Sequence, residues 1–349
     1  VQPLSVQGNV RDLRRALQLF YDYDVDMSKM KAVTISAFGG ADKLLYMDVD
    51  EPRLQCGEAL IRIEAAGVGQ VDIMAREGRY RFQTPGFIPG LEIAGEVCQL
   101  GPGTASEWLG RRVLALPMEG GGYAERIAMK VEDLIPLPAE VSSQEAMALG
   151  MNALVAAAAL ERAQPSAEER ILVRGAGGGI GIMLTQLSAC VTSSVTATTS
   201  SRERGRRLSE LGASALWDRN VDPELPADYF DVIFDTILGP ETLSYLSKLR
   251  NNGRYVMCGG VGGPPSSDYG TGLLTSFHKS PSLFALSLNS FRSDALKQLA
   301  ANVFDSFRKG QLSAVLDSEL PLSQAAEAHR RLETGQAFGK LLLVPTDCR

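Results

Sequence analysis

The residues with most chemical content lie in one stretch, Ile171-Leu-Val-Arg-Gly-Ala-Gly-Gly-Gly-Ile-Gly181, where a short apolar strand runs into glycines and then into small helix-forming residues. Gly175, Gly178 and Gly181 set a G-x-x-G-x-x-G spacing, with Gly179 and Ile180 between the last two. Without side chains there, backbone N–H groups at a helix N-terminus can meet a pyrophosphate, and the helix can lie close against a sheet. A tight strand-to-helix turn would use the same glycines. The strand before, the helix after and a second strand at a suitable distance favour a dinucleotide site.

The end of that second strand selects between nicotinamide cofactors. An acidic residue there would hold the ribose 2′-hydroxyl of NAD, whereas this chain has Thr198-Thr-Ser-Ser-Arg-Glu-Arg204. Glu203 falls inside the following helix. Ser200, Ser201 and Arg204, with Arg202 in reserve, can donate to a 2′-phosphate, since a guanidinium matches phosphate geometry. NADPH is therefore the expected cofactor. The competing use of Arg202, Arg204, Arg206 and Arg207 is a solvated helix face.

Metal chemistry finds little support. The chain's two histidines are His278 and His329, and Cys56, Cys98, Cys190, Cys258 and Cys348 stand apart without a C-x-x-C pair, so no zinc ligand cluster is present. A net charge of −6 over 349 residues gives no basic field for nucleic acid or an anionic membrane. No apolar run approaches the roughly 20 residues that span a bilayer. Scattered thiols and the lack of a recognisable signal peptide point to a cytoplasmic protein.

These residues need elements to position them. Residues 1–29 read as an extension with a short amphipathic helix carrying Val10, Leu13, Leu17 and Phe20. Short β-rich segments follow to about Leu137 (31–36, 58–67, 93–99, 112–116 and 123–129), which predict a compact, partly closed barrel. Ser142 with Glu145 three residues on forms a capping box for a helix to Arg162. Strands at 171–174, 194–199, 229–235 and 253–258 then alternate with helices at 180–190, 202–211 and 241–248. That alternation predicts an α/β, doubly wound parallel sheet. Two amphipathic helices, 293–309 and 322–334, and a last strand, 340–344, close the chain.

The chain resembles the medium-chain dehydrogenase/reductase superfamily, in its zinc-free quinone oxidoreductase and enoyl reductase branch. The motifs are Ala66-Gly-Val-Gly-Gln-Val-Asp72 with Arg76-Glu-Gly-Arg-Tyr80, Pro89-Gly-Leu-Glu-Ile-Ala-Gly95, Gly121-Gly-Tyr-Ala-Glu125, the glycine loop, Phe230-Asp-Val-Ile-Phe-Asp-Thr236, Gly253-Arg-Tyr-Val and Gly339-Lys-Leu. The resemblance implies a GroES-like β-barrel catalytic domain over 30–150, completed by 285–349, and a Rossmann NADPH-binding domain over 151–284. It places the adenine end near Ser200, Arg204 and Arg219 and the nicotinamide near Gly259 and Gly260, with helix residues 150–157 facing it. It also implies a homodimer. Zinc-dependent members carry a cysteine near position 70 and a histidine in a Gly-His-Glu turn; Gln70 and Leu91 stand here, so no metal is expected.

Two departures matter. Members of the zinc-free branch commonly have asparagine where Gly69 stands and Thr-Ala-Tyr where Val155-Ala-Ala157 stands. Both changes imply a larger, more apolar pocket. The remaining polar candidates are Gln70, as a donor to a substrate carbonyl, and Tyr80, as a proton donor. Asp72 and Asn152 are pocket residues with structural alternatives, a bond to nearby backbone and a helix-interior bond respectively. Val155 and Phe277 are expected to line the pocket, although core packing serves Phe277 as well. His278 and His329 read as structural or solvated. The expected activity is zinc-independent hydride transfer from NADPH to an activated C=C (enone, enoyl thioester) or a quinone, bulky intermediates of specialised metabolism and acyl thioesters included. The alternative is a non-catalytic NADPH-binding sensor or interaction protein.

Overall fold

A computed structural model describes residues 28–80 and 84–345. The N-terminal amphipathic helix expected around Val10–Phe20, and Cys348, lie outside the described residues.

The first unit is built on mostly short strands that bury Ile, Val and Ala side chains against one another. β1 (Lys29–Ile35) pairs antiparallel with β2 (Leu44–Asp50). β3 (Glu58–Val68) leads into α1 (Gln70–Arg76), then β4 (Ile93–Leu100), β5 (Arg112–Ala115), β6 (Arg126–Lys130) and β7 (Ile135–Pro136). Ile61, Ile63, Ile93, Val97 and Val113 are fully buried between these strands. Their alternation with half-exposed neighbours suits a sheet with one wet face.

α2 (Ser143–Ala163) crosses to the second unit. Its capping box forms as expected: Ser142 Oγ accepts from the Glu145 N–H at 3.1 Å, and a Glu145 carboxylate oxygen accepts from the Ser142 N–H at 2.9 Å. Gly150 breaks the helix at φ 36° and ψ −142°, a left-handed-side conformation that glycine reaches without a Cβ penalty. This helix is apolar enough and, at 21 residues, long enough to cross a membrane by length and composition alone. It is instead the central core element, with 67% of its most apolar window buried.

The second unit contains β8 (Ile171–Arg174), α3 (Gly179–Ala189), β9 (Val195–Thr199), α4 (Arg202–Glu210), β10 (Ala215–Asp218), β11 (Phe230–Asp235), α5 (Thr242–Leu246), β12 (Leu249–Met257), α6 (Tyr269–Thr275) and β13 (Ser282–Ala285). Its strands are all parallel, in the order β10-β9-β8-β11-β12-β13. That is the doubly wound dinucleotide arrangement, with order reversing between β8 and β11, and ligands bind outside the carboxyl ends of strands at such a point. The crossover from β10 to β11 carries no helix; turns replace it, held by Trp217 Nε1 donating to Pro223 O at 2.7 Å.

The chain then returns to the first unit through α7 (Ser293–Arg308), β14 (Leu316–Pro321), α8 (Ala325–Glu333) and β15 (Lys340–Val344). β15 pairs antiparallel with β3, which completes a sheet ordered β14-β15-β3-β4-β5-β7, with β6 also on β3. The fold is thus α/β, a GroES-like domain joined to a Rossmann-like parallel sheet. Where the sequence predicts a strand over 123–129, β6 pairs with β3 from Arg126, while residues 123–125 bond to β1 through an isolated antiparallel bridge between Ala124 and Ala32. Tyr123 is fully buried beside α8, with its hydroxyl 3.1 Å from His329 Nε2.

Candidate active site

A cavity of about 880 Å³ runs along the carboxyl ends of the parallel strands and into the first unit. Its middle is the glycine loop. Gly175 adopts φ 76°, and a Cβ there would meet Thr236 Oγ1 at 2.3 Å. Gly178 is the N-cap of α3 and offers no side chain to the first helical N–H groups. These donors, on Gly179, Ile180 and Gly181, point outward from the helix start, and the helix dipole adds partial positive charge. Gly178, Gly179 and Ile180 line the cavity. Gly181 does not; it serves the packing, since its Cβ would fall 2.3 Å from Gly175 O and 2.6 Å from the Ala176 Cα. The cradle therefore fits a pyrophosphate: its N-cap carries no side chain to take up the helix donors, and the loop's own residues add none.

At one end Ser200, Arg204, Arg219 and Asn220 line the wall. Arg204 reaches over Gly177, whose Cβ would be 3.5 Å from Nη1. The Nη2 of Arg204 donates to Ala337 O at 3.0 Å and also to Gly335 O, so it ties α4 to the returning segment. Arg219 N–H donates to Thr199 O at 3.2 Å, which fixes the chain beside the end of β9. Asn220, which the sequence reading missed, holds Ser200 O at 3.0 Å. Ser201 is a correction: it caps α4, with its hydroxyl accepting from Arg204 N–H, and it is off the cavity wall. Gly259 and Gly260 lie on the wall at the end of β12; a Cβ on Gly259 would strike Thr236 O at 2.1 Å.

The other end is built by α1, α2 and β15. Gln70, Asp72, Tyr80, Leu91, Glu92, Val155 and Lys340 line it. Asp72 is 2% exposed and accepts from the Gly69 N–H at 2.8 Å and the Gly90 N–H at 3.2 Å. Burial pushes its carboxyl up to about 7, against those bonds and the nearby Lys340 charge. Lys340 and Glu92 form an ion pair 3% and 4% exposed, and the second Glu92 oxygen accepts from the Met151 N–H at 2.9 Å. The kink at Gly150 makes that bond available. A Cβ at Gly150 would sit 2.3 Å from Glu92 Oε2, and one at Gly67 would overlap both Lys340 and Glu92.

Two candidates are relocated. Asn152 lines the cavity but packs its amide over Gly179, where a Cβ would be 2.3 Å from Nδ2, and so belongs with the glycine loop. Phe277 is 77% exposed and outside the cavity, because β13 and the turn before it form the far edge of the sheet. His278 is exposed, bonded to Thr275 O at 3.2 Å. His329 is fully buried between Tyr123 and Arg76, its pKa lowered to about 3 by burial and then by Arg76, so it is a neutral core residue. Glu92 and Lys340 were missed as site residues. They are 248 positions apart, and only their presence in the Pro89–Gly95 and Gly339-Lys-Leu motifs hinted at either. Among the described residues no group of three or more His, Cys, Asp or Glu side chains is arranged to hold a metal ion.

Comparison with known proteins agrees with this geometry. Residues 55–139 match the alcohol dehydrogenase GroES-like domain family, and residues 211–343 match the zinc-binding dehydrogenase family. The chain is 31% identical to the quinone oxidoreductase of Mus musculus over 333 residues, covering 90% of this chain and 98% of that one. The crystal structure of Pseudomonas syringae pv. tomato DC3000 quinone oxidoreductase superposes with a TM-score of 0.82 at 25% identity, covering 90% of this chain and all (100%) of that one. The mycobacterial protein Rv1454c, complexed with NADPH, does so with a TM-score of 0.82 at 26% identity and the same 90% and 100% coverage. With its GroES-like sheet, its parallel dinucleotide sheet and these relatives, the chain is an oxidoreductase that belongs to the medium-chain dehydrogenase/reductase superfamily, in its zinc-free quinone oxidoreductase branch.

Proposed function

We propose that this chain is an NADPH-dependent, zinc-independent reductase of activated double bonds, taking enones, enoyl thioesters or quinones, with a preference for bulky acceptors. The observation that carries the reading is the cavity itself: an uncapped glycine cradle with Ser200, Arg204 and Arg219 at one end and no acidic side chain at the end of β9. The domain limits that go with this reading are 30–150 with 285–349 for the catalytic domain and 151–284 for the NADPH-binding domain.

Gly178, Gly179 and Ile180 would hold the pyrophosphate, and Ser200, Arg204 and Arg219 the 2′-phosphate. Gly259 and Gly260 would let the nicotinamide approach the backbone. When bound, the reduced nicotinamide supplies hydride to the β-carbon of a conjugated acceptor. Gln70, on the cavity wall, would donate to the acceptor's carbonyl oxygen, where negative charge develops. Tyr80, or the protonated fraction of Asp72, delivers a proton to the α-carbon. Leu91, Met118 and Val155 give that end an apolar wall that limits water.

The edge strand β13, with Leu274 (74%) and Phe277 (77%) exposed in the segment before it, supports a homodimer. Cys56, Cys98, Cys190 and Cys258 are free thiols, which supports a reducing compartment such as the cytosol. The test is NADPH oxidation at 340 nm across enones, enoyl thioesters and quinones, where turnover of at least one class is expected. Tight NADPH binding with no oxidation by any acceptor would replace this reading with a sensor, which the apolar residues at 155–157 would then explain.

A further inference from the structure

A second cavity of about 770 Å³ lies against the acceptor end of the first, and the two share Met118, Leu288 and Asn289 as a common wall. Both volumes fall in the range of roughly 300–1,000 Å³ that holds small ligands. The second cavity is floored by apolar side chains, among them Leu116, Ile135, Phe291 and Leu296. Among the charged groups that line it, Arg126 pairs with Glu51, Asp133 accepts from Ser293 Oγ at 2.6 Å and Glu58 accepts from the Gln55 N–H at 2.8 Å, while Glu119 and Lys130 complete the lining.

The floor comes from the end of β5 and from β7 on one side and from the segment leading into α7 on the other, so the cavity lies within the first unit, beside the wall it shares with the first cavity. A dinucleotide lying from Ser200 to Gly260 leaves only the end near Gln70, Tyr80 and Leu91 for an acceptor. An acceptor whose apolar portion extends past Met118 and Leu288 would enter the second cavity. Methionine suits that place, because its unbranched thioether repacks at low cost.

We infer that the second cavity is a subsite for the apolar tail of the acceptor, with Met118 as the movable wall between tail and reacting group. This rests on the reductase reading above and narrows it to acceptors with a long alkyl or fused-ring apolar portion attached to the conjugated carbonyl.

The experiment compares but-3-en-2-one with dodec-1-en-3-one as acceptors of the full chain with NADPH. Each methylene buried in an apolar site favours binding by roughly four-fold in the ideal case. Even with only part of the tail buried, kcat/KM should rise at least about 30-fold from the short to the long enone. Met118→Trp, which blocks the passage, and Leu296→Gln, which places an amide in the floor, should each reduce that ratio to a few-fold. A ratio near one in the unsubstituted protein overturns the subsite, and so does a high ratio that neither substitution changes. Calorimetry with butan-2-one and dodecan-2-one in the presence of NADP⁺ reads the same preference without chemistry. Tail-dependent binding lost in Leu296→Gln, with no turnover of either enone, would keep the subsite and reject the reductase reading.

Discussion

Replacing Gly181 by valine is expected to remove NADPH binding, lowering affinity at least about 100-fold, and to destabilise the dinucleotide unit. The cause is local. A Cβ at this position falls 2.3 Å from Gly175 O and 2.6 Å from the Ala176 Cα, and both are backbone atoms that cannot rotate away. The start of α3 would have to move off β8, and overpacking of this kind costs about 1–3 kcal/mol before any ligand is considered. The same shift swings the N–H groups of Gly179 and Ile180 away from the phosphate position. Gly178→Ala is the control. Its Cβ meets only Gly175 O at 3.5 Å, an ordinary contact, so the fold should stand while the methyl crowds the ligand. Thermal unfolding read by circular dichroism and titration calorimetry with NADPH separate the two effects. An undisturbed Kd in Gly181→Val would contradict the assignment of the loop.

Lys340→Met is expected to cost about 3–5 kcal/mol of stability, as removal of one partner from a buried ion pair does. Glu92 would lose its ion-pair partner while 4% exposed, with the Met151 N–H as its remaining hydrogen-bond donor. Because Lys340 begins β15 and Glu92 lies just before β4, the loss falls on the closure of the first unit. Glu92→Gln added to Lys340→Met should recover much of the stability, since a neutral amide still accepts from Met151 N–H and carries no unpaired charge. Urea denaturation of the wild-type chain and of the single and double variants measures this. A single variant within about 0.5 kcal/mol of wild type would mean that solvent reaches the pair and that its burial does not matter.

The parts of the fold that were legible in the sequence are those whose signal is local. Ile171–Arg174 and Lys340–Val344 are short, apolar and bounded by glycine, and their limits agree with the strands that form. Ser142 with Glu145 marked the start of α2 because a capping box involves only residues three apart. The strands missed are marginal ones. β10 and β13 are four-residue edges of the parallel sheet, and β2 is mostly exposed, so none carries a clean apolar pattern. α1 was passed over because its seven residues are short and its N-cap is Gly69, with no capping side chain to announce it.

The candidate site divides in the same way. The glycine loop, Ser200 with Arg204, and Arg219 follow three neighbouring strands, β8, β9 and β10, and the cavity brings them together. Ser201 was misassigned because a serine after a strand can serve either a phosphate or the next helix, and the helix takes it. Asn152 was placed with the acceptor although its amide fills the space over Gly179, a contact between helices that no sequence pattern records. The ionisable group of Asp72, Glu92 and Lys340 depends on contacts between α1, the segment before β4 and β15. Only three-dimensional closure of the barrel assembles it.

The central claim is that this cavity holds NADPH, selected by Ser200, Arg204 and Arg219 in the absence of an acidic side chain at the end of β9. Titration calorimetry of the full chain with NADPH and with NADH tests it most directly. The account predicts that NADPH binds at least about tenfold more tightly, a difference of ~1.4 kcal/mol, and that Arg204→Ala removes most of that difference. Equal affinity for the two nucleotides, or tighter binding of NADH, would contradict it.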